Sequence, residues 1–180
     1  QSIADFCKAY PDFNSILLRY INPIGAHSSA KIGEYPVGIP QNLVPFLTQT
    51  VKGIRPILKV FGSSYDTPDG SCIRDYIHVM DLAQAHIESL DYLLQKKNTE
   101  ACEVYNVGTG NGVSVLELIE AFERATGKKV PYEFSDPRPG DTVSAYADPS
   151  KIKTRIGWKA RHSLEDSLSS AWKWEQKINN

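Results

Sequence analysis

A short stretch near the middle of the chain concentrates residue types that could do chemistry. The sequence GSCIRDYIHVMDLAQAH, residues 70–86, carries an arginine, two aspartates and two histidines. His78, Asp81 and His86 have side chains of the kinds that bind metal ions, whereas the guanidinium group of Arg74 is suited to a phosphate or a carboxylate. These two chemistries imply different functions, and the elements that carry the residues help to decide between them.

The predicted elements argue against a metal site. Alternating apolar and polar residues predict a strand over residues 73–79, with Arg74 and His78 on one face. Asp81 is then expected to begin a helix as its N-cap, because Asp accepts hydrogen bonds from free backbone N–H groups. His86 falls inside that helix. Since metal ligands usually share a helix face or converge from loops, we expect no metal and interpret both histidines as hydrogen-bonded core or rim side chains.

The hydrophobic pattern elsewhere predicts alternating strands and helices. The apolar run SILLRYI, residues 15–21, predicts a strand buried on both faces. Further strands are predicted at PILKVFG, EVYNVG and VPYEF, and helices at IADFCKAY, at about residues 41–52, from Asp81, from Ser114 to about Thr126, within DPSKIKTRIGW and over SLEDSLSSAWKWEQKI. Ser114 and Glu117 have the spacing of a capping box, and Gly127 is expected to end the helix that they begin. This alternation indicates an α/β fold with parallel connections.

Composition excludes several classes of function. The 180 residues are 41% hydrophobic and 23% charged, with a formal net charge of −1. We therefore expect neither nucleic-acid nor membrane binding, because there is no strongly charged field and no apolar run long enough to span a bilayer. Cys7, Cys72 and Cys102 lack the spacing of a metal site and suit a reducing compartment, so we expect a cytoplasmic protein.

Two loop features could bind an anion. GTGNGVS, residues 108–114, resembles a nucleotide-binding glycine loop, but its third glycine comes one residue too early for Gly-x-Gly-x-x-Gly. A tight strand-to-helix turn is the simpler interpretation. Arg74 follows one turn and Arg138 lies in another, DPRPGD. Two such arginines could hold a diphosphate, because a guanidinium fork matches phosphate oxygens bidentately.

Five segments together resemble the C-terminal half of UDP-glucose 4-epimerases, in the extended short-chain dehydrogenase/reductase superfamily. They are LLRYINPIGAH, GIPQNLVPF, VFGSSYDTPDGSCIRDYIHVMDLAQAH, YNVGTGNGVSVLELI and RPGDTVSAYADPSKIKTRIGW. The resemblance implies the C-terminal part of an NAD-binding Rossmann-type fold plus a smaller mixed α/β substrate-binding domain. It assigns residues 1–22 and 73–108 to the Rossmann sheet and residues 23–72 and 109–180 to the substrate-binding lobe. The N-terminal nucleotide-binding half is expected to lie outside the chain.

The resemblance also implies a reaction and a role for matching positions. UDP-glucose and UDP-galactose would interconvert through a 4-keto sugar, with NAD as cofactor. Tyr20 and Ile21 are expected to face NAD. Lys59, Val60 and Phe61 would frame the uracil. The complete set expected to bind the UDP-hexose is Asn22, Asn42, Leu43, Lys59, Val60, Phe61, Arg74, Arg138, Asp141 and Ala145.

The catalytic groups are expected to lie outside the chain. The family's Tyr-x-x-x-Lys pair would precede Gln1, and we expect neither this motif nor the Gly-x-x-Gly-x-x-Gly loop within the sequence. The isolated chain is therefore expected to be inactive, and the full-length protein to be a homodimer. In the family, the residue at the position of Ala145 borders the hexose pocket, where a bulky aromatic side chain excludes N-acetyl groups and a small one admits them. The residue here is alanine, so the resemblance suggests that UDP-N-acetylhexosamines also fit.

Two alternatives remain open at this point. The chain could be a UDP-sugar-binding module without chemistry. It could also be a fragment of a related sugar-nucleotide dehydratase or decarboxylase, although such an enzyme would be expected to differ in the segment IPQNLVPF.

Overall fold

The computed structural model describes residues 2–178. Its strands pair mostly in parallel. The elements in chain order are α1 (Ser2–Ala9), β1 (Ser15–Arg19), β2 (Asn22–Ile24), α2 (Leu43–Val51), β3 (Leu58–Phe61), β4 (Ile73–Arg74), β5 (Tyr76–His78), α3 (Val79–Leu94), β6 (Cys102–Asn106), β7 (Val113–Ser114), α4 (Val115–Thr126), β8 (Tyr132–Ser135), β9 (Ser144–Ala145), α5 (Ser150–Arg155) and α6 (Leu164–Lys177). The predicted mixed α/β fold is confirmed.

The strands form four small sheets. β1 pairs with β6, β2 with β5 and β3 with β8, each in parallel. β4 lies between β7, which is antiparallel to it, and β9, which is parallel. The single strand predicted over residues 73–79 is therefore wrong in one respect. Asp75 separates β4 from β5, and the two halves belong to different sheets.

The segment that carries β4 and β5 also separates two hydrophobic clusters. One cluster includes Leu118 of α4 and Leu168 of α6. The other joins β6 to α3 and includes the buried Trp158. Tyr76 belongs to the first cluster and Ile77 to the second, because successive side chains of a strand point to opposite faces. The chain thus passes between two packed interiors at β5.

The predicted division into a Rossmann part and a substrate-binding lobe stays a prediction. Trp158, assigned by that division to the substrate-binding lobe, packs with Tyr105 of β6. The outer limits of the predicted ranges, at residues 1, 179 and 180, lie outside the described residues.

Strand β1 is less buried than predicted. Its residues are half-buried, and Arg19 at its end is exposed. Within the described residues β1 pairs along one edge with β6, and α3 packs against it. The expectation of burial on both faces is therefore wrong for this chain.

Helix ends follow the predicted capping signals with one exception. Ser114 begins α4 with a capping box, and Gly127, in the left-handed conformation, ends it as predicted. Asp81 does not cap α3. His78 does so instead, since its Nδ1 accepts a hydrogen bond from the backbone N–H of Met80 at 3.0 Å.

Asp81 instead fastens α3 to the segment that precedes α6. Its Oδ2 accepts hydrogen bonds from the backbone N–H groups of Arg161 and His162, at 2.9 and 3.0 Å. The Nδ1 atom of His162 lies 2.8 Å from Oδ1. Burial alone would raise the pKa of Asp81, but these hydrogen bonds lower it overall. The His162 ring also stacks on His78, with 4.2 Å between ring centroids.

Protonation of His78 should destabilise the fold. Burial and the neighbouring His162 lower the pKa of His78 below its ordinary value of 6.5, although Asp81 and Asp166 act in the opposite direction. The unfolded chain then binds more protons than the folded chain as the pH falls through 6.5, so stability present above that pH is lost below it. A proton on Nδ1 would also abolish the cap.

We expect the free energy of unfolding to be lower at about pH 5.5 than at about pH 7.5, and His78→Asn to flatten this difference, because Asn caps helices but does not titrate. Urea denaturation of both proteins at the two pH values measures the effect. An equally steep pH dependence in the variant would contradict the assignment to His78.

Candidate functional site

A pocket of about 440 Å³ opens between the start of α2 and strands β3 and β4. It gathers residues that are far apart in the sequence. Nine of the ten residues expected to bind the UDP-hexose line it, with Ala145 as the exception: Asn22, Asn42, Leu43, Lys59, Val60, Phe61, Arg74, Arg138 and Asp141. Their placement is thereby established, and their roles in binding stay predictions.

Arginine side chains on different segments supply positive charge to the pocket. Arg138 is held by Asp141, whose two carboxylate oxygens accept hydrogen bonds from Nε and Nη2, both at 3.2 Å. The guanidinium group lies over the ring of Phe61, 4.6 Å from its centroid. Arg74 donates from Nη1 to the carbonyl oxygen of Ile73 at 2.8 Å. An arginine has five N–H donors, so each of these contacts leaves donors for a ligand.

The start of α2 contributes polar groups of another kind. Asn42 is the N-cap residue, but its side chain makes no capping hydrogen bond. Its Nδ2 donates instead to Oε1 of Glu34 at 2.7 Å. Because the first backbone N–H groups of a helix have no partner within the helix, this end of α2 can donate to a bound ligand.

Asn22 provides a second indication of a ligand. Its Oδ1 atom is buried and has no hydrogen-bond partner among the described residues. Buried acceptors in folded proteins are nearly always paired. Since Asn22 lines the pocket, a ligand donor would satisfy this oxygen.

The sequence-based set missed several lining residues. Cys72 and Tyr76 are buried and form part of the pocket wall beside Arg74. The spacing 72, 74, 76 is the period of one strand face, and this signal could have found them. Phe46, Leu58 and Val115 are apolar lining residues that no local signal distinguishes from core.

The remaining predicted site residues lie outside the pocket wall. Tyr20 and Ile21 follow β1 and are 44% and 38% exposed. Ala145 lies in β9, directly opposite Arg74 in the strand register. The expected roles of all three stay predictions.

The geometry gives no support to a metal site. Across residues 2–178, no group of three or more His, Cys, Asp or Glu side chains is placed to hold a metal ion. His86, one of the candidate ligands, has its Nδ1 atom 2.8 Å from the carbonyl oxygen of Leu82.

Among the helices within residues 2–178, none combines the length and apolar character needed to cross a membrane.

The expectation that the chain lacks a Tyr-x-x-x-Lys spacing is wrong. Tyr92 and Lys96 have this spacing. Tyr92 is only 7% exposed, and Lys96 follows the end of α3 with a φ of 54°. Neither residue lines the pocket, so the spacing does not place a catalytic base beside a ligand bound there.

Comparison with known proteins identifies the family. A family model described as GDP-mannose 4,6 dehydratase matches residues 4–171. The chain belongs to this family. It is 50% identical over 173 residues to the UDP-glucose 4-epimerase of Dictyostelium discoideum, and 47% identical over 180 residues to that of Bacillus subtilis. The alignments cover 96% and 100% of the chain but 50% and 52% of these relatives, so the chain spans about half their length.

Solved structures share the fold closely. The UDP-glucose-4-epimerase of Stenotrophomonas maltophila, with bound NAD and formylated UDP-arabinopyranose, has a TM-score of 0.94 and 45% identity. The Bifidobacterium longum enzyme, in complex with NAD+ and UDP, has a TM-score of 0.92 and 44% identity. Each alignment covers 99% of the chain and 52% of the other protein. The predicted resemblance to the C-terminal half of UDP-glucose 4-epimerases is confirmed.

Proposed function

We propose that the protein forms the UDP-sugar-binding part of a UDP-glucose 4-epimerase, which interconverts UDP-glucose and UDP-galactose. The observation that carries this proposal is the convergence of nine residues, expected from the sequence to bind a UDP-hexose, on one pocket. Relatives that are about 50% identical are named for this activity. Structural neighbours that bind UDP or a UDP-sugar together with NAD support the same ligand class here.

The pocket has the charge and shape for such a ligand. Arg74 and Arg138 would contact the diphosphate, and the ion pair with Asp141 holds Arg138 in place while leaving its Nη1 outside the pair. A pre-oriented guanidinium loses little side-chain freedom on binding, which favours affinity. The backbone of β3, from Lys59 to Phe61, would frame the uracil at the other end.

NAD is the cofactor that we infer for the complete enzyme. When bound, it would supply the hydride acceptor and donor for carbon 4 of the sugar. Tyr20 and Ile21 fit a contact with it, because both are exposed beyond the carboxyl end of β1, the edge at which parallel sheets bind dinucleotides. We assign no catalytic residue to this chain, so the isolated chain should show no turnover.

We also infer that the complete enzyme is a homodimer that uses α1 as a contact. Ile3, Phe6 and Tyr10 of this region are large apolar side chains that remain exposed, as expected of a face that packs against another subunit or domain.

A sugar-nucleotide dehydratase is the second candidate, because the matching family model carries that description. Both enzymes would use a bound nucleotide sugar and NAD, so binding does not separate them. Incubating the complete enzyme with UDP-glucose does. An epimerase yields UDP-galactose, whereas a dehydratase yields a 4-keto-6-deoxy product with loss of water.

Replacing Arg74 should weaken binding of UDP by the protein. Arg74→Gln removes a charge-assisted contact worth about 1.5–3 kcal/mol, so we expect a loss of affinity of roughly tenfold or more. Arg124→Gln is the matched control, because Arg124 is an exposed arginine of α4 whose ion pairs are with Glu120 and Glu165. Isothermal titration calorimetry with UDP measures all three proteins.

Equal affinities of the wild type and R74Q would contradict the role of Arg74. Absence of UDP binding by the wild type would contradict the proposed function. NAD-dependent turnover by the isolated 180-residue chain would contradict its lack of catalytic groups.

We further propose that the complete enzyme accepts UDP-N-acetylhexosamines, because Ala145 offers only a methyl group beside Arg74. We expect kcat/KM values for UDP-glucose and UDP-N-acetylglucosamine within about tenfold of each other. Ala145→Tyr should lower the value for the N-acetylated sugar selectively. A thousandfold preference of the unaltered enzyme for UDP-glucose, about 4 kcal/mol, would contradict the proposal.

A further inference from the structure

Asp75 is a buried carboxylate at the break between β4 and β5. Its exposed fraction is 1%. Oδ1 accepts hydrogen bonds from the backbone N–H and the hydroxyl of Thr109, at 3.0 and 2.7 Å. Oδ2 accepts from the backbone N–H groups of Gly110 and Ala147, both at 3.2 Å. A carboxylate is costly to bury without donors, so its place in the interior depends on these four contacts.

The glycine-rich loop that follows β6 is built around this carboxylate. Successive backbone N–H groups in a turn form a concavity that binds anions. In residues 108–110 the anion is the side chain of Asp75 rather than a phosphate. A Cβ atom on Gly108 would lie 2.2 Å from Oδ2 of Asp75, so glycine is required for this close approach. The loop is therefore a turn whose glycine allows the backbone to approach Asp75.

The backbone of Asp75 links further parts of the pocket region. Its N–H donates to the carbonyl oxygen of Ala145 at 3.1 Å, and its carbonyl oxygen accepts from the N–H of Asn22 at 3.3 Å. Arg74 is its neighbour in the chain. One residue therefore connects three positions that were predicted to bind the UDP-hexose.

The β3 side of the pocket is built separately. Lys59, Val60 and Phe61 lie on β3, which pairs with β8 in a sheet that contains neither β4 nor β9. In the register of the two strands Lys59 lies opposite Glu133 and Phe61 opposite Ser135, so Asp75 takes no part in this pairing.

We propose that Asp75 is the positioning residue of the site. It fixes Asn22, Arg74 and Ala145 relative to one another, without touching the ligand, and so shapes the end that receives the diphosphate and the hexose. This inference rests on the proposed function. If it is correct, disturbing Asp75 should weaken binding of the diphosphate and leave binding of the uracil nearly unchanged.

The test compares UDP with uridine as ligands of the Asp75→Asn variant. Asn keeps the side-chain shape but turns an NH₂ group toward N–H donors, so at least one oxygen's contacts are lost. We expect the affinity for UDP to fall roughly tenfold or more and that for uridine to change less than about threefold. Titration followed by nuclear magnetic resonance measures both, since uridine alone binds weakly.

Glu103→Gln is the matched control. Glu103 is also a buried carboxylate, 3% exposed, and it accepts hydrogen bonds from Thr99 and Tyr105 away from the pocket. This variant should lose stability to a similar degree and keep both affinities. Loss of UDP affinity in the control equal to that in D75N would show a general effect of destabilisation and overturn the proposal.

A milder variant keeps the test decisive if D75N does not fold. Thr109→Val removes the hydroxyl contact with Asp75, together with the contacts of that hydroxyl with Asn111, and keeps the backbone N–H groups that hold the carboxylate. We expect a smaller loss for UDP with uridine again unaffected. If a folded variant loses equal affinity for UDP and for uridine, or loses none, the positioning role of Asp75 is overturned while the proposed function stands. A wild-type protein that binds neither ligand overturns the proposed function, and this inference with it.

Discussion

A buried carboxylate must be surrounded by hydrogen-bond donors, and at Asp75 this requirement organises much of the fold. The donors come from the glycine loop after β6 and from the segment after β9. Both segments must therefore meet where the chain passes from β4 to β5. That crossing also separates the two hydrophobic clusters, with Tyr76 in one and Ile77 in the other. The two hydrophobic clusters and one wall of the pocket therefore meet at Asp75.

The other wall of the pocket depends on an ion pair between the buried Glu175 and the partly exposed Lys52. Glu175 of α6 lies 3.8 Å from Nζ of Lys52, which follows α2, and accepts a hydrogen bond from Thr48. Lys52 also donates to the carbonyl oxygens of Glu175 and Ile178 at the end of α6. These contacts fix α2, whose uncapped start lines the pocket. Polar groups thus set the position of the site, while apolar packing supplies most of the stability.

The sequence predicted the features that depend on local chemistry or on family resemblance. The capping box at Ser114, the stop at Gly127 and the convergence of the pocket residues belong to this group. It did not predict that His78 rather than Asp81 caps α3, because both types of side chain can accept from a first helical turn. Nor did it predict the partner of the glycine loop. Thr109 and Asp75 are 34 residues apart, and no local pattern joins them.

In this protein the glycine loop binds the side chain of Asp75, and we infer that Arg74 and Arg138 bind the diphosphate. A crystal structure of the protein with bound UDP distinguishes these two anion sites. We expect the diphosphate to contact Arg74 and Arg138, and Asp75 to remain bonded to the N–H groups of Thr109 and Gly110. A phosphate seated on those N–H groups, with Asp75 displaced, would contradict it.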